Sequence, residues 1–414
     1  MEEHYLGKLF PALNYKNFRY FFYGQIVSLI GTWMQNIGQD WLVLELTNSA
    51  FYLGLITAMQ FLPTMLFSLL AGSIVDHFEK RKVLLFTQSI MAILALILAL
   101  ITYFEVVQIW HINILALLLG IVRTVDMPAR HAFFSELVEK EHLVSAITLN
   151  SSVFNFARII GPGFAGIMIG YLGIGICFFL NAASFLAVIF GLSRIRIKNS
   201  VINTGPLRLK NLLVEIKEGV LFIWDNTRLR IIFILFSFIS IFIINYSFYI
   251  PLLSKQVFGL EASGYGILMT TMGIGSFVGA LAFSILGKKE PRIGIMLSAS
   301  VLVSAFLITL GFMKYNPLLF IVLVFLGLAS ITYTASVNTT VQLAADQRLR
   351  GRVMSIFSLI LGGFTPIGSM ISGLMSENLG IARTVQINGM IGLVAAIITI
   401  LFISKLKKKQ VNTN

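Results

Sequence analysis

The stretch Gly72-Ser-Ile-Val-Asp-His-Phe-Glu-Lys-Arg-Lys82 separates two long apolar runs and carries both an acid and a basic cluster. Gly72 and Asp76 are four residues apart, so they share one face of a helix. Asp76 falls at the end of that helix, where an acid opposes the helix dipole. We therefore expect Asp76 to bind Arg81 or the N-terminus of a neighbouring helix, which Gly72 allows to approach closely. A polar turn followed by the basic residues Arg81 and Lys82 explains the stretch equally well.

The composition of the chain is that of a membrane protein. Of its 414 residues, 57% are hydrophobic and 12% are charged, whereas soluble domains are about 25% charged. Most of its apolar runs reach the roughly 20 residues that a helix needs to cross a bilayer. These runs span residues 18–45, 51–76, 83–104, 110–131, 145–171, 173–193, 229–254, 262–286, 292–313, 317–341, 351–377 and 381–404. Because backbone groups in hydrocarbon must pair internally, we predict an all-α membrane protein with twelve transmembrane helices.

The basic residues orient these helices. If the N-terminus is cytoplasmic, nearly all of the 31 lysines and arginines fall in cytoplasmic segments. The exceptions are Lys255, Lys314 and Arg383 outside, and Arg123 and Arg158 within apolar runs. This distribution predicts a multi-pass protein of the inner (cytoplasmic) membrane with both termini in the cytoplasm. It also explains the net charge of +13 without a nucleic-acid partner, and the partner it implies is the lipid bilayer.

The two halves of the chain look like copies of each other. Gly72 aligns with Gly279 and Asn181 with Asn388 at one spacing, and Pro162 aligns with Pro366 at nearly the same spacing. We therefore predict two six-helix bundles related by pseudo-twofold symmetry, the arrangement of transporters that bind cargo near the membrane midplane. The predicted domains are an N-terminal bundle (1–193), a cytoplasmic linker with an amphipathic helix (194–228), a C-terminal bundle (229–404) and a basic cytoplasmic tail (405–414). The linker helix is interpreted as lying on the membrane face, with a plain tether as the alternative.

These features resemble the major facilitator superfamily over nearly the whole chain. Its signature, Gly-x-x-x-Asp-x-x-x-x-Arg-Lys, is matched by Gly72, Asp76, Arg81 and Lys82, with Glu79 in place of the usual second glycine. Four finer matches resemble the branch that contains the enterobactin exporter and the macrolide and drug efflux proteins. They are Gly31-Thr-Trp-Met-Gln35, Trp41-Leu-Val-Leu-Glu-Leu-Thr47, Asp126-Met-Pro-Ala-Arg130 and Asn155-Phe-Ala-Arg-Ile-Ile-Gly-Pro-Gly163. The resemblance implies a transporter that alternates between inward-open and outward-open states, with the signature as its gating motif.

A glycine-proline cluster recurs in the two halves. Its members are Gly161, Pro162, Gly163 and Gly166 in the fifth run, and Gly363 and Pro366 in the eleventh. Proline kinks a helix and frees a carbonyl, and glycine lets another helix approach. The cluster resembles the motif that antiporters of the superfamily carry on this helix, which favours export. We expect an interface between helices here, the alternative being a close crossing without a role in transport.

Polar residues inside the apolar runs are the candidate transport site. The first run carries a polar stripe formed by Gln35, Asn36, Gln39 and Asp40. Such a stripe is too polar to face lipid. Arg123 and Asp126 share one face of the fourth helix, so they could pair with each other, or Arg123 could hold an acid elsewhere. A pair between them would be either structural or proton-coupling. Arg158 has no acid nearby in sequence, so we expect it to hold Asp126 or Asp40, the rival role being to bind an anionic cargo.

Enzyme and cofactor motifs are absent from the sequence. It contains no phosphate-binding loop, its five histidines are scattered, and Cys177 is its single cysteine. We therefore expect no catalysis, no cofactor and no metal. The interpretation is a monomeric secondary active exporter of a small amphipathic drug or siderophore, with protons as the coupling ion through Asp126 or Asp40. The alternatives are a lysophospholipid or lipid transporter, and a receptor or scaffold that does not transport.

Overall fold

The computed structural model describes residues 10–196, 209–286, 293–347 and 349–411, and these residues form helices and short connections without a strand. The N-terminal half contains α1 (Lys16–Thr47), α2 (Ala50–Val75), α3 (Lys80–Tyr103), α4 (Ile109–Leu137), α5 (Leu143–Leu172) and α6 (Gly175–Arg194). Short 3-10 turns precede α1 at Pro11–Asn14 and α5 at Lys140–His142. The predicted all-α fold class is confirmed.

The second half begins with α7 (Leu209–Asp225). It continues through α8 (Thr227–Phe242), α9 (Tyr246–Leu252), α10 (Ala262–Leu286), α11 (Ile293–Phe312), α12 (Pro317–Ala344), α13 (Arg350–Leu379) and α14 (Ile381–Val411). The apolar run predicted at 229–254 is therefore broken between α8 and α9. Asn245 stabilises the break, because its Nδ2 donates to the Ile241 carbonyl at 2.6 Å and replaces an interrupted backbone bond.

Eleven segments of the described chain are helical, long and apolar enough to cross a membrane, with α8 and α9 counted together. Two described helices are missing from this set. One is α7, whose 17 residues fall short of a bilayer, and the other is α1, although its 32 residues are more than a bilayer requires. Its buried glutamines Gln25, Gln35 and Gln39 account for its lower hydropathy. With α1 included, the helices are consistent with the twelve-helix arrangement predicted from the sequence.

The chain divides into two compact units. The first unit comprises Met1–Asn48, Met59–Leu209 and Glu261–Thr270, and the second comprises Ser49–Ala58, Lys210–Leu260 and Thr271–Asn414. The start of α10 thus belongs to the first unit and the start of α2 to the second. Nothing in the sequence pattern predicts this exchange. Of the predicted linker and tail, residues 197–208 and 412–414 lie outside the described residues.

An aromatic core closes one end of the first unit. Phe18 and Phe21 on α1 pack against Phe133 and Phe134 on α4, with ring centroids between 5.4 and 6.3 Å apart. Leu84 on α3 belongs to the same buried cluster. Burial of this much aromatic surface fixes the ends of α1, α3 and α4 beside the gating motif.

Helix α7 lies within the predicted linker and packs on α13 within the second unit. Glu218 forms an ion pair with Arg352, and Gly219 lies buried against Arg352 and Ile356. On the other side of α7, Trp224 is 59% exposed. The position of α7 on the membrane surface stays a prediction.

Candidate functional site

Asp126 is buried in the first unit and joins α3 to α4. Its Oδ1 accepts hydrogen bonds from Thr87 Oγ1 at 2.7 Å and from Gln88 Nε2 at 2.8 Å. Its Oδ2 accepts from Arg130, through Nε at 3.1 Å and Nη2 at 2.5 Å. The carboxylate is therefore paired with a cation and hydrogen-bonded at both oxygens, as a buried charge requires.

The predicted pair between Arg123 and Asp126 is wrong, because Arg130 holds this carboxylate. Residues three and four apart both share a helix face, so spacing alone does not choose between the two arginines. Arg130 presents two nitrogens to one carboxylate oxygen, whereas Arg123 is half-buried and forms no ion pair with another described residue. The pairing could have been predicted from the segment Asp126-Met-Pro-Ala-Arg130, since its two charged ends are about one helical turn apart.

Asp40 lies near the end of α1 in quite different surroundings. It accepts a hydrogen bond from Tyr265 Oη at 2.9 Å. Tyr265 is fully buried near the start of α10, in the part of that helix that belongs to the first unit. Its ring stacks on Trp41, with 6.2 Å between ring centroids, and Trp41 Nε1 donates to Glu45 at 2.8 Å. The donor to Asp40 is thus a neutral hydroxyl held in place by an aromatic neighbour.

The polar stripe of α1 divides between two environments. Gln35 accepts from Asn181 Nδ2 on α6 at 2.6 Å, and both side chains are buried. Gln39 is also buried, and its Nε2 has no hydrogen-bond partner among the described residues. Asn36 is half-buried. Gln35 therefore serves the packing of α1 on α6, while Asp40 is directed to α10.

Arg158 is half-buried on α5 and is engaged in an interaction of its own. The two acids predicted as its partners have the donors described above, Tyr265 for Asp40 and the Arg130 group for Asp126. Its tie to these acids and its rival role in binding cargo both stay predictions.

The gating motif is arranged differently from the expectation. Asp76 is exposed, and its carboxylate has no hydrogen-bond partner in the described part of the chain. Arg81 donates instead to the carbonyls of Leu192 at 2.7 Å and Ser193 at 3.1 Å, at the end of α6. Carbonyls at a helix C-terminus carry partial negative charge, which explains this choice. The predicted pair between Asp76 and Arg81 is therefore wrong.

The structure also shows the surroundings of Gly72, Glu79 and Lys82, the remaining positions of the gating motif. Gly72 has open space where a side chain would lie. No described helix therefore packs closely against it, contrary to our expectation. Lys82 is exposed and pairs with Glu79 at 2.7 Å. Glu79, which replaces the usual glycine, precedes α3 with φ of −66°. Any residue adopts that conformation, so the replacement strains nothing.

The glycine-proline cluster of α5 forms a close helix crossing within the first unit. A Cβ added to Gly166 would lie 3.0 Å from the Ser263 carbonyl oxygen, and one added to Gly163 would lie 3.0 Å from Thr270 Oγ1. Thr270 also donates to the Ile159 carbonyl at 3.0 Å. These three contacts join α5 to the start of α10, next to Tyr265. The remaining small residue, Gly161, faces Trp33 on α1.

A matching crossing joins α13 to the start of α2 within the second unit. Ser369 Oγ donates to the Gly54 carbonyl at 3.2 Å, and a Cβ on Gly373 would lie 3.2 Å from the Ala50 carbonyl oxygen. Gly363 and Pro366, which the sequence predicts for this interface, are buried in α13 but precede the crossing residues.

The contacts match the two halves differently from the sequence alignment of Pro162 with Pro366, by nearly one helical turn. A Cβ on Gly266 would meet the Pro162 carbonyl, and one on Gly54 would meet the Ser369 carbonyl, so Ser369 corresponds to Pro162.

Comparison with known proteins identifies the family. A family model described as transmembrane secretion effector matches residues 8–413. The chain belongs to this family. Its similarity to the staphyloferrin A transporter of Staphylococcus aureus is 28% identity, over 96% of this chain and 98% of that protein. A multidrug efflux pump, Tap, of Mycolicibacterium fortuitum is 25% identical, over 83% and 85% of the two chains. Macrolide efflux protein A of Streptococcus pyogenes is 22% identical, over 93% and 96%.

Solved structures support the fold of this secretion effector family member. The nucleoside transporter NupG superposes with a TM-score of 0.75 at 15% identity, covering 93% of this chain and 98% of NupG. A POT family transporter gives a TM-score of 0.71 at 14% identity, covering 94% and 96%. The predicted membership of the major facilitator superfamily is confirmed, and the chain is a multi-pass membrane transporter.

Proposed function

We propose that this chain is a secondary active exporter that exchanges protons for a small amphipathic molecule of the siderophore or drug class. The family assignment supports transport, and the relatives named above include a siderophore transporter, a multidrug efflux pump and a macrolide efflux protein. The sequence contains no phosphate-binding loop, so an ion gradient is the energy source that we infer.

The observation that carries proton coupling is the hydrogen bond from Tyr265 to Asp40. An ionised carboxylate accepts this bond, whereas a protonated carboxyl has a hydrogen of its own to donate. Proton binding at Asp40 therefore changes the contact that ties the start of α10 to α1. When a protein has two conformations, binding that favours one of them shifts the population toward it, and we propose that proton binding at Asp40 acts in this way.

Asp126 is the weaker candidate for the coupling residue. Its carboxylate already accepts from Thr87, Gln88 and Arg130. A proton there would have to weaken the ion pair of the buried Asp126 with the half-buried Arg130, and the bonds from Thr87 and Gln88 that hold α3 against α4. We assign the structural role to Asp126 and the coupling role to Asp40.

Cargo recognition is proposed to use α1 beside Asp40. Gln39 has a buried amide nitrogen without a partner among the described residues, which leaves a donor for a polar cargo atom. Asn36, one turn before Asp40, is half-buried and lies on the same face.

The variant Arg158→Ala separates the two roles predicted for Arg158. A tie to Asp40 or Asp126 predicts less folded protein, and a cargo site predicts normal folding with loss of anionic cargo.

The gating motif is proposed to act in the opposite state. Asp76 is exposed and without a hydrogen-bond partner among the described residues, so its carboxylate is available to bind a positive group when the conformation changes. Asp76→Asn should then shift the balance of states while leaving folding intact. Unchanged transport together with unchanged accessibility labelling would refute this role.

Reconstitution tests the proposed function. The protein is placed in vesicles with an acidic lumen, and staphyloferrin A, a macrolide, a cationic dye and a lysophospholipid are each added outside. We expect a siderophore or drug to accumulate inside, and a protonophore to abolish the accumulation. Accumulation that ignores the pH gradient contradicts proton exchange. Movement of the lysophospholipid alone favours the lipid transporter, and movement of no compound favours a receptor or scaffold.

A further inference from the structure

A groove of about 650 Å³ runs along α11 and α12 in the second unit. Most of its lining is aliphatic, including Leu302 and Leu328. Arg228, near the start of α8, is the charged residue among those that line it. We call this feature the α11–α12 groove. None of its lining residues belongs to the proposed transport site.

Arg228 supplies a positive charge to the groove. Its side chain is exposed and forms no hydrogen bond or ion pair with another residue that the structure describes. The neighbouring Arg230 behaves differently, since it donates to the Trp224 carbonyl at 3.0 Å and lies over the Trp224 ring. With no acid among the described lining residues, the groove favours an anion at this end.

The groove also has room and hydrogen-bonding capacity for a polar headgroup near Arg228. Gly294 has open space where a side chain would lie. Ser298 donates its hydroxyl hydrogen to the Gly294 carbonyl at 2.9 Å, which leaves its oxygen able to accept a hydrogen bond. A headgroup that carries hydroxyls beside its phosphate fits both features.

The length of the groove matches one membrane leaflet. From Ile293 to Leu302 α11 rises about 14 Å, at about 1.5 Å per residue. Half of the hydrocarbon core of a bilayer is about 15 Å thick. The positive-inside pattern predicts that α11 begins on the cytoplasmic side. The groove therefore extends from the predicted cytoplasmic surface to about the middle of the membrane.

We propose that the α11–α12 groove binds one anionic phospholipid of the cytoplasmic leaflet. Its phosphate lies at Arg228, its headgroup hydroxyls lie near Gly294 and Ser298, and one acyl chain follows Leu302 and Leu328. Arginine suits this role because its guanidinium offers several donors to a phosphate and stays charged. The lipid is a bound component of the protein rather than its cargo.

Native mass spectrometry of the full delipidated chain tests the proposal. The protein is titrated with phosphatidylglycerol or with phosphatidylcholine of the same acyl chains. We expect one phosphatidylglycerol to bind more tightly than phosphatidylcholine, and Arg228→Gln to weaken that binding about tenfold, the loss expected for one charge-assisted hydrogen bond. Arg230→Gln is the matched control and should retain the binding, because its guanidinium is already engaged.

A groove-filling variant and two competitors complete the test. Ser298→Phe should weaken the binding of both lipids, and its melting temperature in detergent shows that it is folded. Equal lipid binding by Arg228→Gln and the wild type would overturn the proposal. So would full competition by inorganic phosphate, which would indicate a site for a free anion. Movement of fluorescent phosphatidylglycerol between leaflets, abolished in Arg228→Gln, would also overturn it, since the lipid would then be cargo.

Discussion

Asp126 and Asp40 are two carboxylates of the same unit in opposite kinds of surroundings. Asp126 is buried and accepts hydrogen bonds from two neutral side chains and from Arg130. Asp40 accepts from Tyr265, which is neutral and lies on a helix of the other half of the chain. The difference teaches that an acid at membrane depth does not by itself mark a coupling site. We propose that the donors around the acid decide its role: a fixed cation favours a structural ion pair, and a neutral hydroxyl leaves the carboxylate able to bind a proton.

The largest expected effect is on folding, and it comes from Asp126→Ala. This change leaves the half-buried Arg130 without its partner, at a cost toward the lower end of the about 3–5 kcal/mol typical of a fully buried pair. Thermal unfolding in detergent, followed by intrinsic fluorescence, should show a large fall in melting temperature and in yield. Asp76→Ala is the control, because that acid is exposed and without a hydrogen-bond partner in the described residues. Equal melting temperatures of Asp126→Ala and the wild type would contradict the structural role of Asp126.

A smaller effect on folding is expected from Thr87→Val. The valine keeps the shape of the side chain and removes one neutral donor to Asp126, leaving Gln88 and Arg130 in place. We expect a loss of about 1 kcal/mol in the free energy of unfolding. Thr399→Val is the matched control, since that buried hydroxyl donates to a carbonyl of its own helix. If Thr87→Val folds normally yet alters the proton dependence of transport, the roles of the two carboxylates must be exchanged.

How much of this site was predictable follows from the distances in sequence. Hydropathy and charge predict the spanning helices, because lipid imposes the same requirement on each of them. The pair of Asp126 with Arg130 was also readable, since the residues lie one helical turn apart. Tyr265 was not readable, because 225 residues separate it from Asp40 and nothing local marks it.

At two other places the structure differs from the sequence prediction for local reasons. The break between α8 and α9 follows Ile243 and Ile244, which look like any apolar stretch, and it depends on the Asn245 side chain. The crossing on α13 uses Ser369 and Gly373 rather than the more conspicuous Pro366, because close approach needs small side chains rather than a kink.

The smallest expected effect on stability comes from Tyr265→Phe. It removes the hydroxyl that donates to Asp40 and keeps the ring stacked on Trp41, so the melting temperature should change little. We expect the pH dependence of cargo accumulation to shift while folding stays intact. Tyr333→Phe is the matched control, since that buried hydroxyl has no hydrogen-bond partner among the described residues. A Tyr265→Phe protein with an unchanged pH profile would show that this bond plays no part in coupling.

The most direct test of the coupling role of Asp40 compares two measurements on Asp40→Asn vesicles. The first is exchange of labelled for unlabelled cargo at equal pH on both sides. The second is accumulation of cargo driven by an acidic lumen. Because asparagine keeps the shape of the side chain and removes its proton chemistry, the account predicts exchange within a few-fold of the wild type and no accumulation. Accumulation by Asp40→Asn at the wild-type level would contradict the account.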